Sequence, residues 1–107
     1  MEDIIKKEIE NILKETTQFD FPFLEKEEKK KSILQEKKTY VEEKLRSISP
    51  RLFPNDEKIN EIWSESIEYA DEQFKALPAK RRLNGFYLQE LMYYYVEKLG
   101  DSIMSNN

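Results

Sequence analysis

Residues 86–99 read FYLQELMYYYVEKL, from Phe86 to Leu99, and ten of these fourteen residues are apolar or aromatic. A helix lying on a small bundle needs an apolar arc of only about 100° or somewhat more. Leu88, Leu91, Met92, Tyr95 and Leu99 already fill such an arc. Phe86, Tyr87, Tyr93, Tyr94 and Val96 spread over much of the remaining surface. Two placements account for the surplus. Either this is the central helix, wrapped by the others, or its extra face is an interface. Tyrosine suits both, since it offers a large ring and one hydroxyl. A homodimer closed through helix 86–99 would satisfy both at once.

Outward from this stretch, Asn84-Gly85 is a turn or cap signal and Gly100 a natural stop. The pattern predicts a domain over 1–100 and a frayed tail over 101–107. A helix from Pro78 to Leu99 is the alternative, with Gly85 tolerated inside it at a cost of about 1 kcal/mol. Segment 56–77 is the clearest helix. Ile59, Ile62, Trp63, Ile67, Ala70, Phe74 and Leu77 recur at helical spacing, with Asn55 or Asp56 as cap. Trp63 reads as its central core side chain. Glu61, Glu65, Glu68 and Glu72 lie on the opposite face.

Further back, Ile5, Ile9, Ile12 and Leu13 mark a first helix over 2–16. Phe19, Phe21 and Phe23 alternate around Pro22, so 17–24 is an extended connector that either plugs one end of the bundle or docks a partner. A second helix runs from about 25 to 47. Its first turns are all charged, with Glu25–Lys29 and Glu27–Lys31 at favourable spacing, and its apolar stripe begins only at Ile33. The fold class is therefore all-α: a small single domain of four main helices, either an up-down bundle or an irregular array. Uneven helix lengths and proline-containing connectors favour the irregular one.

The residue types that are missing narrow the function. Among 107 residues there is no Cys and no His. Disulfides, thiol nucleophiles, imidazole bases and ordinary zinc sites are excluded. Leu, Ile, Val and Phe number 28, enough for a modest core. The longest apolar run falls short of the roughly 18 residues of a membrane span, and MEDIIKKEIE is unlike a targeting peptide, so a cytoplasmic protein is expected.

The net charge of -4 is unevenly spread: residues 55–77 hold seven acids against two lysines. An acidic chain is a poor general nucleic-acid binder. Two basic clusters, Lys29–Lys31 and Lys80–Arg82, keep a nucleic-acid-associated accessory role as the alternative. A carboxylate site for Mg²⁺ or Mn²⁺ in a nucleotide hydrolase ranks below it. Glu68-x-x-Asp71 matches half of the two-helix carboxylate pattern of all-α nucleotide pyrophosphatases, but Glu42-Glu43 is followed by Lys44, Leu45 and Arg46, so the other half is absent. No catalytic residue, metal ligand or cofactor is assigned.

The reading that remains is a non-enzymatic protein-binding domain: a regulator, inhibitor, or immunity- or antitoxin-like factor that occludes or tethers a partner protein. Its expected interface combines Phe86, Tyr87, Tyr93 and Tyr94 as anchors with Glu61, Glu65, Glu68 and Glu72 as a steering face.

Overall fold

The computed structural model describes residues 2–19, 21, 27–75 and 85–105. Four helices follow one another: α1 (Glu2–Thr16), α2 (Glu27–Ile48), α3 (Asp56–Gln73) and α4 (Gly85–Ser105). The fold is all-α. Helix α4 packs on all three others, α1 also packs on α2, and α3 lies chiefly on α4. In a strict up-down bundle each helix has two main neighbours. Here one helix has three, so the arrangement is an array built round α4.

The central position follows from composition. Nine α4 residues are buried: Tyr87, Leu88, Leu91, Met92, Tyr95, Val96, Leu99, Gly100 and Ile103. They form two adjacent rows at four-residue intervals, wide enough to meet helices on two sides and behind. Each large apolar side chain taken out of water contributes about 1.5–3 kcal/mol, so this helix supplies more of the core than any other. The helix does not stop at Gly100. It continues to Ser105, and Ile103 is fully buried. The expected cap is instead a close-packing position. A Cβ on Gly100 would sit 2.7 Å from Ile9 Cγ2, so glycine sets how near α1 comes to α4.

Helix α1 buries Ile9, Ile12 and Thr16. The Thr16 hydroxyl donates to the Ile12 carbonyl at 2.8 Å, which lets a polar residue end the buried face without an orphaned group. The chain then tightens, with Phe19 N–H donating to Thr16 O. Phe21 enters the core and Phe19 packs against it, their rings edge to face. For these two the plug reading of the connector holds. Phe23 and Pro22 lie outside the described residues.

Helix α2 is attached differently. Only Val41 and Leu45 among its apolar side chains are fully buried, with Ile33, Leu34 and Ile48 at the margin. Polar groups complete the seam. The buried Tyr95 hydroxyl donates to Glu42, and Lys38 donates to the same carboxylate oxygen at 2.6 Å. Lys38 also lies 5.1 Å over the Trp63 ring. Trp63 is partly buried rather than central; its ring meets Tyr95 edge to face at 4.7 Å, and the innermost aromatic is Tyr95.

The turn into α3 is closed by Leu52 and Phe53 N–H groups on Ser49 O. Asn55, not Asp56, caps α3, accepting from Lys58 N–H at 2.9 Å. At the far end Phe74 stacks edge to face on Tyr87, and the Tyr87 hydroxyl donates to Asp71 at 2.7 Å. The two helices are thereby fastened where the described chain breaks between residues 75 and 85. Whether Pro78 starts one long helix is a question that falls on residues outside the described ones, as do Leu77 and the ends of the 25–29 and 27–31 pairs.

Candidate functional site

Three helices leave part of α4 uncovered. Its outer strip carries Phe86, Glu90, Tyr93, Tyr94 and Glu97, at intervals of three and four residues that keep them on one side. Phe86 is the most exposed of the large apolar side chains described, at 76%. Tyr93 and Tyr94 are partly buried. Tyr94 stacks on Tyr69 of α3, with ring centroids 4.2 Å apart and planes 12° from parallel. Lys98 lies 5.3 Å from the Tyr94 ring centre. Neither ring is free to swing, because each is held by the other across the helix seam.

Tyr87 does not belong to this strip. It is 5% exposed, its hydroxyl is engaged by Asp71 and its ring by Phe74. One residue of helix is a 100° turn, enough to carry it inward while Phe86 stays outside. An anchor role for Tyr87 in a partner complex is therefore corrected to a seam role within the monomer.

The steering face is where its spacing placed it. Glu61, Glu65, Glu68 and Glu72 are all exposed along α3. Glu61 is 3.7 Å from Lys58 and Glu72 3.2 Å from Lys75, both solvated pairs along one helix. Tyr69 sits within this acidic run, one turn from Glu65 and from Glu72, so the acidic face of α3 and the tyrosines of α4 meet at the Tyr69–Tyr94 stack. Among the described residues, no three acidic groups converge as a metal would require; they are strung along the helix.

Two adjoining hollows flank Tyr93. The first, about 370 Å³, is lined by Thr17, Tyr69, Gln89, Glu90, Tyr93, Tyr94 and Glu97. The second, about 270 Å³, is lined by Glu10, Leu13, Lys14, Thr17 and Tyr93. Gln89 donates to Thr17 O and fixes the end of α1 beside α4, which forms the floor between them. Neither Glu90 nor Glu97 has an ion-pair partner among the described residues. No family model, curated protein or solved structure matches the chain.

A larger open hollow of about 1000 Å³ lies on another side, between the end of α1 and α2. Glu15 at its edge accepts from Tyr40 and, at 3.0 Å, from Lys44. The Tyr40 hydroxyl first, and the Lys44 ammonium after it, hold this carboxyl below the usual carboxylate range, and the Lys44 ammonium is raised by the Tyr40 hydroxyl first and by Glu15 after it. The lining mixes Glu36 and Glu43 with Lys37, so it selects no one sign of ligand.

The basic clusters divide. Lys29 and Lys31 are exposed but Lys30 is largely buried, so 29–31 is not one continuous cationic patch. Lys80, Arg81 and Arg82 lie outside the described residues. Tyr69, Glu90 and Glu97 are the site residues that sequence reasoning left out. The signal for Tyr69 was an aromatic ring inside an otherwise acidic run. For Glu90 and Glu97 it was the seven-residue interval that brackets Tyr93 and Tyr94.

Proposed function

We propose that the chain is a non-enzymatic protein-binding domain, a regulator, inhibitor, or immunity- or antitoxin-like factor, that occludes or tethers a partner protein. The observation that carries this reading is the outer strip of α4. Two partly buried tyrosines, Tyr93 and Tyr94, the second braced by its stack on Tyr69, stand between carboxylates and beside the acidic face of α3. Braced aromatics are good anchors, because little rotamer freedom is lost when a partner covers them. The carboxylates around them raise the rate of encounter with a basic surface. A core helix has no need of either feature on its solvent side.

The test compares capture by two immobilised forms of the chain, the native one and a Tyr93→Ala/Tyr94→Ala variant, from native extract at about 0.15 M salt, where screening acts over roughly 8 Å. The expected result is a protein held by the native chain, released at about 1 M salt and missing from the variant. Identical capture by both would remove the anchor assignment and with it the main support for this reading.

A further inference from the structure

The outer strip of α4 also carries information about what it holds. The first hollow is lined by two carboxylates, three tyrosines and no cationic side chain. Seven residues of helix separate Glu90 from Glu97, a rise of about 10 Å. Tyr93 and Tyr94 fill the interval between them. A carboxylate beside an aromatic ring is matched by a guanidinium, which pairs with the first through its N–H fork and stacks on the second. Two such stations about 10 Å apart match two side chains three residues apart on an extended segment in the polyproline II conformation, which has three residues per turn and rises about 3.1 Å per residue, so that both side chains leave the same face.

We propose that the groove along the outer strip of α4 binds an extended, arginine-bearing segment of a partner protein, with arginines three positions apart seated at Glu90 and Glu97 and the chain between them lying across Tyr93. This rests on the protein-binding reading and specifies its partner. Charge complementarity decides the occupant: Glu90 and Glu97 are without an ion-pair partner among the described residues, and Lys98 is turned to Asp101, 3.9 Å away, and to the Tyr94 ring.

The experiment titrates isotope-labelled full-length chain with blocked Gly/Ser hexapeptides, following backbone amide resonances at low salt. One peptide carries two arginines three positions apart, a second carries them adjacent, and a third carries two lysines three apart. The first is expected to shift resonances at 89–98 and Thr17 and to bind about fivefold tighter than the other two. Glu90→Gln and Glu97→Gln are each expected to weaken it about fivefold, and the double variant at least tenfold. Glu90 is exposed and Glu97 half-buried, and an unchanged circular dichroism spectrum checks the fold of each variant. Equal binding of the adjacent-arginine peptide, unchanged affinity in the double variant, shifts confined to the α3 face, or no shift at millimolar peptide would each overturn the assignment. So would a homodimer by light scattering that Tyr94→Ala breaks, since a second copy would then be the occupant. Capture that depends on Tyr94 but ignores both carboxylates would overturn this assignment and leave the protein-binding reading standing.

Discussion

The inner and outer faces of α4 are built from the same residue types and do opposite things. Tyr94 and Tyr95 are consecutive. Tyr95 is fully buried, with its hydroxyl on Glu42 and its ring against Trp63. Tyr94 lies in a surface stack with Tyr69 and lines a hollow. Leu91 is buried, and its neighbour Glu90 is exposed. The apolar surplus of this helix is thus not all core. The inner rows meet α1, α2 and α3, and the residue left over is a narrow strip in which aromatic rings alternate with carboxylates. Burial is decided by rotation about the helix axis, not by residue type.

The largest expected effect tests that rotation directly. Leu91→Ala removes a side chain that is 1% exposed and leaves a cavity in the core, so it should cost about 3–4 kcal/mol in a denaturant titration. Glu90→Ala, one position away, should stay within about 0.5 kcal/mol, as an unpaired surface carboxylate does. Comparable losses at the two positions would mean that the inner and outer faces are not distinct in solution.

A smaller effect probes how tightly α1 closes over the inner face. Gly100→Ala gains roughly 1 kcal/mol in helix propensity. Against this, the new methyl would lie 2.7 Å from Ile9 Cγ2. Ile9 is β-branched, with a stiff side chain in a helix, and cannot swing away cheaply. A net loss of about 1–2 kcal/mol is expected. Ile9→Ala deletes the obstructing atom, so the pair should be non-additive: Gly100→Ala made on Ile9→Ala should be neutral or stabilising. A loss of the same size in both backgrounds would show that the approach of α1 is not limited at this glycine.

These positions also mark how far the sequence could be read. The four helices and their order follow from periodicity, because Ile9, Ile12, Ile59, Ile62 and the α4 rows recur at the spacing that burial requires. Gly100 misled because a glycine after an apolar run has two uses, ending a helix or admitting a neighbour, and only the position of Ile9 distinguishes them. Trp63 misled in a similar way: size suggests centrality, yet Lys38 and the ring edge of Tyr95 hold it at the margin. Of the expected interface, Phe86, Tyr93, Tyr94 and the α3 carboxylates are accessible and Tyr87 is not. Tyr69 escaped notice because its value lies in a partner on another helix, and pairing across helices leaves no trace in the spacing along one.

The smallest effect concerns the inner face at its most polar point, and its sign changes with pH. Tyr95→Phe removes a hydroxyl whose acceptor, Glu42, keeps Lys38, so no buried acceptor is orphaned. The loss near neutral pH should be about 1 kcal/mol. Burial, and after it the Glu42 carboxylate, hold the Tyr95 hydroxyl far above its ordinary value of 10.0. The folded state therefore retains a proton that the unfolded chain releases above about pH 10. The stabilisation is complete below that pH and is lost as pH rises, by about 1.4 kcal/mol at pH 11. Phenylalanine has no such proton. The stability gap should close between pH 10 and 11 and leave the variant equal to the native chain or slightly ahead. A gap that stays constant over that range would place the Tyr95 hydroxyl in contact with water and move it from the inner face to the outer one.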